Sequence, residues 1–308
     1  MAFEFNIGES AGDGIRRMAQ EQIDKALGEI DDSGLDQHTT VHQVRKRCKK
    51  IRALLRLARA DLDSSKIYKQ ENACFRDAAL SLSGIRDAEA LLETYDTLID
   101  TFSKQSNRQR LKKVRDGLEE RKREIADNDV DLDSRIATFA RTMREARERV
   151  HNWPVGDSFN SLAPGLKANY RRGRKAMKTA AVKPNTENFH EWRKSVKYHL
   201  YHVQVLRPIW GAVLDSWRGE IKNLGEDLGD DHDLAVFEQT LLAEPRRFGS
   251  NRDRQALQAL SDRRRAELQG RAFPAGQRIF HETPKQLTRR LEAYWDASRA
   301  EARLPADD

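Results

Sequence analysis

Residues 41–62 read Val41-His42-Gln43-Val44-Arg45-Lys46-Arg47-Cys48-Lys49-Lys50-Ile51-Arg52-Ala53-Leu54-Leu55-Arg56-Leu57-Ala58-Arg59-Ala60-Asp61-Leu62. Val41, Val44, Cys48, Ile51, Leu55, Ala58 and Leu62 follow at alternating steps of three and four. That spacing is the apolar seam of a helix packed in a bundle. One position further round, His42, Arg45, Lys49, Arg52, Arg56 and Arg59 form a second stripe. At about 1.5 Å rise per residue, the stripe runs for roughly 25 Å. Lys46 and Lys50 widen it. From Val41 to Ala60 there are eight Lys or Arg, one His and no acid. Like charges at i,i+4 cost a few tenths of a kcal/mol per pair. Such a stripe is tolerated only if acids on other helices, or a bound polyanion, offset it.

The head of this helix occurs twice. His42-x-x-Arg45-Lys46-x-x-Lys49 is matched by His190-x-x-Arg193-Lys194-x-x-Lys197, every element displaced by 148 residues in a chain of 308. Gly84-Ile85-Arg86-Asp87 is answered by Gly229-Asp230-Asp231-His232-Asp233 at nearly the same offset. A repeat of this length implies an internal duplication rather than a solenoid of short units. The second seam is Phe189, Trp192, Val196, His199, Val203 and Leu206. Its stripe, His190, Arg193, Lys197, Leu200, Gln204 and Arg207, keeps the head and thins the tail. Tyr170-Arg171-Arg172-Gly173-Arg174-Lys175 restores charge upstream, with Arg16-Arg17 as its weaker counterpart in the first half.

The chain has 56 Lys+Arg against 49 Asp+Glu, a net charge of +7. The excess is local: Gly165 to Lys183 carries seven Lys or Arg and no acid. A local excess favours an anionic partner. A hydrophobic content of 38% is low for one large core, and 34% charged residues suit amphipathic helices with solvated outer faces. No apolar run is long enough to span a membrane, and the N-terminus lacks a signal-peptide pattern. Cys48 and Cys74, the two cysteines, read as reduced core thiols of a cytoplasmic protein.

Nearly every segment reads as helix, at about 10–29, 37–62, 66–103 with a break at Gly84, 106–126, 132–151, 161–181, 186–207, 211–228, 232–243, 251–270 and 276–302. Residues 229–231 read as a turn. Asn152 to Asp157 reads as the boundary between the halves. The expected fold is all-α: two helical bundles of about four to five helices each, related by an internal pseudo-two-fold.

Arg supplies a planar fork for phosphate oxygens and Lys a mobile point charge. Protonated His donates from both ring nitrogens. A ladder of cations repeating every turn suits a ligand whose charges also repeat, linear polyphosphate above all and nucleic-acid backbone more loosely.

At these residues the chain resembles the conserved histidine α-helical domain (CHAD) family. The matching phrases are Val41 to Lys46, Leu82 to Glu89, Tyr170 to Arg174, Phe189 to Lys197 and Asp227 to Leu234. The resemblance implies one CHAD domain over residues 1–308, with an N-terminal half 1–152, a C-terminal half 153–303 and a tail 304–308. It also implies binding of inorganic polyphosphate where the His-bearing helices meet, and an association with polyphosphate granules in the cytoplasm. Many relatives carry an N-terminal triphosphate-tunnel domain marked by an alternating Glu-x-Glu-x-Lys strand. This chain shows no such segment and reads as a free-standing, non-enzymatic member. The expected polyphosphate-binding residues are Arg16, Arg17, His42, Arg45, Lys46, Lys49, Arg52, Arg56, Tyr170, Arg171, Arg174, His190, Arg193, Lys194, Lys197 and Arg207.

Blander readings compete with these. A single charge run is ordinarily a solvated helix face, but two copies with the same spacing and no internal acid favour binding. His38/His42 and His199/His202 have metal-ligand spacing, yet the cations beside His42 repel a metal, so no metal or other cofactor is expected. His199 falls on the seam and reads as a hydrogen-bonded core group. Asp87 and Asp233 read as helix caps or as orienting partners for an Arg. No Walker-type loop or nucleophile motif occurs. The competing function classes are a nucleic-acid-binding helical protein, with nucleic acid otherwise a weaker electrostatic competitor, and a phosphohydrolase or phosphotransferase using His42 and His190.

Overall fold

The computed structural model describes residues 3–64, 66–104, 108–127 and 131–303; the tail 304–308 lies outside these. Among the described residues the fold is all-α, with twelve helices and no strand. The first half contains α1 (Ala11–Asp31), α2 (Gln37–Leu57), α3 (Arg59–Ser64), α4 (Ile67–Leu80), α5 (Gly84–Thr101), α6 (Arg108–Asp127) and α7 (Leu132–Val150). The second contains α8 (Ala163–Val182), α9 (Thr186–Leu206), α10 (Gly211–Ala243), α11 (Asn251–Ile279) and α12 (Pro284–Glu301).

Within each half, helices pack mainly on their near neighbours in sequence. In the first, α1 packs on α2 and α7, α2 on α4, and α5 on α6. In the second, α8 packs on α9 and α12, α9 on α10, and α10 on α11. Across the middle α2 meets α9, α5 meets α10 and α6 meets α11, while α2 also meets α8. Both basic helices start on an Asx cap: Asp36 accepts from the Thr39 amide and Asn185 from the Asn188 amide, each at 2.9 Å. Such caps satisfy amides left open by the first turn.

Both seams are buried along their full length, from Val41 to Leu62 and from Phe189 to Leu206. They feed a core that draws on both halves. A second core lies apart from it, built from Leu91, Tyr95 and Leu98 of α5, Val114 and Leu118 of α6, Phe237 of α10 and Leu257 and Leu268 of α11. Burying each large apolar side chain contributes about 1.5–3 kcal/mol. The α2–α8 crossing is backbone against backbone: a Cβ on Gly165 would lie 2.1 Å from the Leu57 carbonyl oxygen. Only glycine permits that approach.

Three expected boundaries move. The first basic helix stops at Leu57, and α3 starts after Ala58, whose amide still bonds back to the Leu54 carbonyl at 2.9 Å. Residues 229–231 form no turn; α10 runs straight through them. Leu228, Gly229, Asp231, Leu234 and Ala235 are all buried there, so tertiary packing overrides the weak helix propensity of Gly and Asp. The break near residues 271–275 is likewise absent, and α11 continues through Pro274 to Ile279. Ala272 and Gly276 are buried in this stretch, and a Cβ on Gly276 would meet the Trp192 ring at 2.5 Å.

The break at Gly84 is present, between α4 and α5. The connection at residues 152–157 is non-helical, with Trp153 and Val155 buried and Arg16 donating to the Trp153 carbonyl at 3.0 Å. Cys48 is buried and Cys74 partly so, both as free thiols.

His199 is fully buried, but neither ring nitrogen has a hydrogen-bond partner among the described residues. It sits edge-on to Trp217 and Tyr170, at centroid distances of 5.0 and 5.2 Å. His202 is also buried, and its Nε2 lies 3.1 Å from the Ala53 carbonyl oxygen of α2. A carbonyl only accepts, so Nε2 carries the proton. Burial lowers the pKa of His199 to about 3 and of His202 to about 4. In the unfolded chain both titrate near 6.5, so the unfolded state binds more protons below that pH. Stability is therefore complete above pH 6.5 and falls by about 1.4 kcal/mol per pH unit per histidine as pH drops towards the folded values. His199→Phe is expected to show a shallower loss of melting temperature than wild type between pH 7 and 5. Equal slopes in a thermal-melt series would refute the burial of a neutral His199.

Candidate functional site

The heads of the two basic stripes come together where α2 and α9 cross. Lys49 is exposed to water, yet neighbouring protein crowds its ammonium group. That crowding, followed by the charges of Arg45, Arg193 and Lys197, lowers its pKa to about 8. Lys197 is half-buried, and its pKa is lowered by burial and then by Arg193, with Lys46 contributing. Lys46, Lys49, Arg193 and Lys197 thus share one electrostatic environment. Lys49 and Lys197 are the equivalent positions of the repeat.

The arginines are held in place by different means. Arg45 donates to the Ala79 carbonyl at 3.0 Å and lies 3.8 Å from the Asp87 carboxylate. Asp87, in the first turn of α5, is thus a loose ion-pair partner of a motif Arg. Arg193 lies over Gly229 of α10: a Cβ there would sit 3.7 Å from its Nε, which is buried without a partner. Asp87 favours the charged form of Lys49, as Asp233 does that of Lys197. Each repeat thus supplies one cationic helix and one nearby acid.

His190 faces His232 of α10, with ring centroids 4.4 Å apart. Burial first, then Lys194 and Arg193, lowers the His190 pKa. Burial, then Arg193 and His190, takes His232 to about 4. Both rings are neutral at pH 7, and the Nδ1 atom of each is buried without a partner. Lys194 pairs with Glu191, which also accepts from Arg172 at 2.6 Å. His42 is exposed on the second turn of α2. His232 was not among the expected site residues. The phrase Gly229-Asp230-Asp231-His232-Asp233 contained it, but with 229–231 read as a turn and a new helix beginning at His232, the direction of the ring was not fixed.

The remaining expected residues lie elsewhere or are engaged by the protein itself. Arg52 donates to Asn72 at 3.1 Å, and Arg56 donates to the Tyr68 hydroxyl and stacks on Tyr198, its guanidinium carbon 4.2 Å from the ring centroid. Arg207 forms a two-pronged pair with Glu4, at 2.5 and 2.6 Å. Arg17 holds Glu9, Glu21 and the Glu4 carbonyl. Arg16 binds Asp13 and the connection between the halves. Tyr170 is buried, its hydroxyl donating to the Ile279 carbonyl at 2.9 Å. Arg171 and Arg174 line a cavity between α8 and the start of α12.

Among the described residues, no group of three or more His, Cys, Asp or Glu is placed to hold a metal ion. No helix among them is long and apolar enough to cross a membrane. The arrangement gathers positive charge from both basic helices.

The lowered pKa of Lys49 has a direct consequence, because an amine that loses its proton near pH 8 is nucleophilic there. Lys49 is expected to acylate faster than the equally exposed Lys46 at pH 8 under limiting reagent. Peptide mass spectrometry reads the ratio, and equal rates would contradict the crowded setting.

In a comparison with known protein families, the model described as the CHAD domain matches residues 17–242. No curated protein matches the chain.

Proposed function

This chain belongs to the CHAD domain family, and we propose that its α2–α9 groove binds inorganic polyphosphate without transforming it. The observation that carries this reading is the shared environment of Lys46, Lys49, Arg193 and Lys197, which draws on both copies of the motif. The cations repel one another in the free protein, and a linear polyanion removes that repulsion. We further propose that the halves are related by a pseudo-two-fold. In support, like helices meet across the middle and the equivalent residues Lys49 and Lys197 are neighbours. Polyphosphate-granule association follows as the cellular counterpart of this reading.

The sequence alone favours the first stripe as the stronger half, because it continues through Arg52, Arg56 and Arg59. In the fold these three are engaged by Asn72, by Tyr68 and Tyr198, and by Asp63. Each half then offers the same head. Charge reversal of Arg45 and Lys49 is expected to weaken polyphosphate binding about as much as reversal of Arg193 and Lys197, by at least tenfold each. Affinity should fall steeply with salt, in the form set by counterion release. Calorimetric titration at several salt concentrations checks both points. Salt-independent binding, or no loss in either variant, would sink the reading. Competition against duplex DNA, followed by a phosphate-release assay, separates it from nucleic-acid binding and from hydrolysis.

A bound polyanion offsets the charges of Arg193 and Lys194, which help to keep His190 neutral. Binding should therefore raise the pKa of His190 and take up protons as pH falls through the range around 6.5. Calorimetry in buffers of different ionisation enthalpy should show less uptake for His190→Gln. Unchanged uptake would remove this histidine from the site.

A further inference from the structure

The N-terminal arm, Phe3 to Glu9, precedes α1 and lies before residue 17, where the family match begins. The resemblance therefore gives it no role. Phe3 and Phe5 are nonetheless buried. The Phe3 ring lies under Lys50 of α2, whose Nζ is 4.9 Å from the centroid, and stands edge-on to Tyr201 of α9 at 6.1 Å. The Glu4 carboxylate takes Arg207, just past the end of α9, at 2.5 and 2.6 Å, and accepts from Gln204 at 3.3 Å. The Glu4 carbonyl accepts from Arg17 of α1 at 2.8 Å. The Phe5 amide donates to the Val205 carbonyl at 3.0 Å, in the last turn of α9, where carbonyls lose their helical partners. The Phe5 ring meets Trp295 of α12 edge-on at 5.1 Å. Glu9 pairs with Arg17 at 2.7 Å, and its carbonyl accepts from Arg299 of α12 at 2.8 Å.

One short segment thus touches α1 and α2 of the first half and α9 and α12 of the second. Its contacts on the two basic helices fall beside the groove. Lys50 adjoins Lys49, and Tyr201 follows Lys197 by one helical turn. The like charges of Lys49 and Lys197 push the helices apart at this point, and the arm bridges them. A two-pronged pair between Arg and a carboxylate fixes direction as well as distance. Perpendicular ring contacts add to what burial alone contributes.

We propose that the arm is a clasp that holds α2 and α9 at the spacing the groove needs, with Phe3 and Glu4 as positioning residues for Lys49 and Lys197. Its consequence for polyphosphate rests on the groove being the polyphosphate site, whereas its consequence for Lys49 does not. Glu4 carries the wrong charge to touch a polyanion, so it acts only through the helices it joins. Arg207 is spent on Glu4 and serves the groove in the same indirect way.

Full-length Glu4→Gln separates this role from a plain charge effect. Removing one negative charge would by itself tighten the binding of a polyanion, whereas loss of the clasp weakens it. Affinity for long-chain polyphosphate, read by calorimetric titration, is expected to fall about threefold or more, the equivalent of about half a pK unit. The pH midpoint of Lys49 acylation is read by peptide mass spectrometry with no ligand present. It should rise by about half a pH unit, because Arg193 and Lys197, which hold it down, move away. Arg207→Gln should act in the same direction, and combining it with Glu4→Gln should add little, as for two residues of one interaction. Phe3→Leu keeps an apolar side chain but removes the ring, and it carries the same test should Glu4→Gln fail to fold. A Lys49 midpoint that stays put in the folded variant overturns the proposal, whatever the melting temperature does. Tighter polyphosphate binding by Glu4→Gln overturns it too. So do additive losses from Glu4→Gln and Arg207→Gln, because Arg207 would then contact the ligand itself. If wild type binds no polyphosphate, the reading of the groove fails, and the Lys49 midpoint alone still decides the clasp.

Discussion

Two helices bearing cations at the same positions have to cross at those positions without driving each other apart. Everything else in the structure answers that constraint. Lys49 is exposed and Lys197 half-buried, so water screens their repulsion and its cost is moderate. The apolar seams on the same helices are buried without a break, which contributes about 1.5–3 kcal/mol for each large side chain. Hydrophobic burial therefore wins, and the charges stay close. Two cross-half contacts reinforce the crossing, His202 to the Ala53 carbonyl and Arg56 over Tyr198. The close approach of α8 to the end of α2 at Gly165 adds a third.

The same constraint explains the division of labour among the arginines. Those on the flanks are paired: Arg207 with Glu4, Arg17 with Glu9 and Glu21, Arg149 with the buried Glu71. These pairs fasten the N-terminal segment and α7 to the body. Near the crossing Lys194 pairs with Glu191, whereas Arg45 has Asp87 only at 3.8 Å.

The cavity on α8 follows a different logic. Its cations lie on one face of one helix, and nothing opposes them except the start of α12. The groove is assembled from both repeats, whereas this cavity belongs to the second half alone. Its charge run has only the weaker Arg16-Arg17 as a counterpart, and both of those arginines are engaged by the protein.

Periodicity and repetition, both visible in the chain, determined the all-α class, the two buried seams and the pairing of His42, Arg45 and Lys49 with His190, Arg193 and Lys197. Those features depend on local spacing, and a helix converts spacing directly into a face. The CHAD resemblance likewise rested on residues that can be read in order. Tertiary structure decided the rest. It made α10 and α11 continuous through Gly229 and Pro274, because packing on both flanks outweighs a propensity of about 1 kcal/mol for Gly. At Pro274 the packed neighbours Ala272 and Gly276 hold the helix together across a missing amide. It set Arg52, Arg56 and Arg207 against protein partners that lie far away in sequence, and buried Tyr170 beneath Phe280. It also placed His232 against His190. A charged side chain reports its own sign in the sequence, but whether that charge stays available depends on which residues the fold brings beside it.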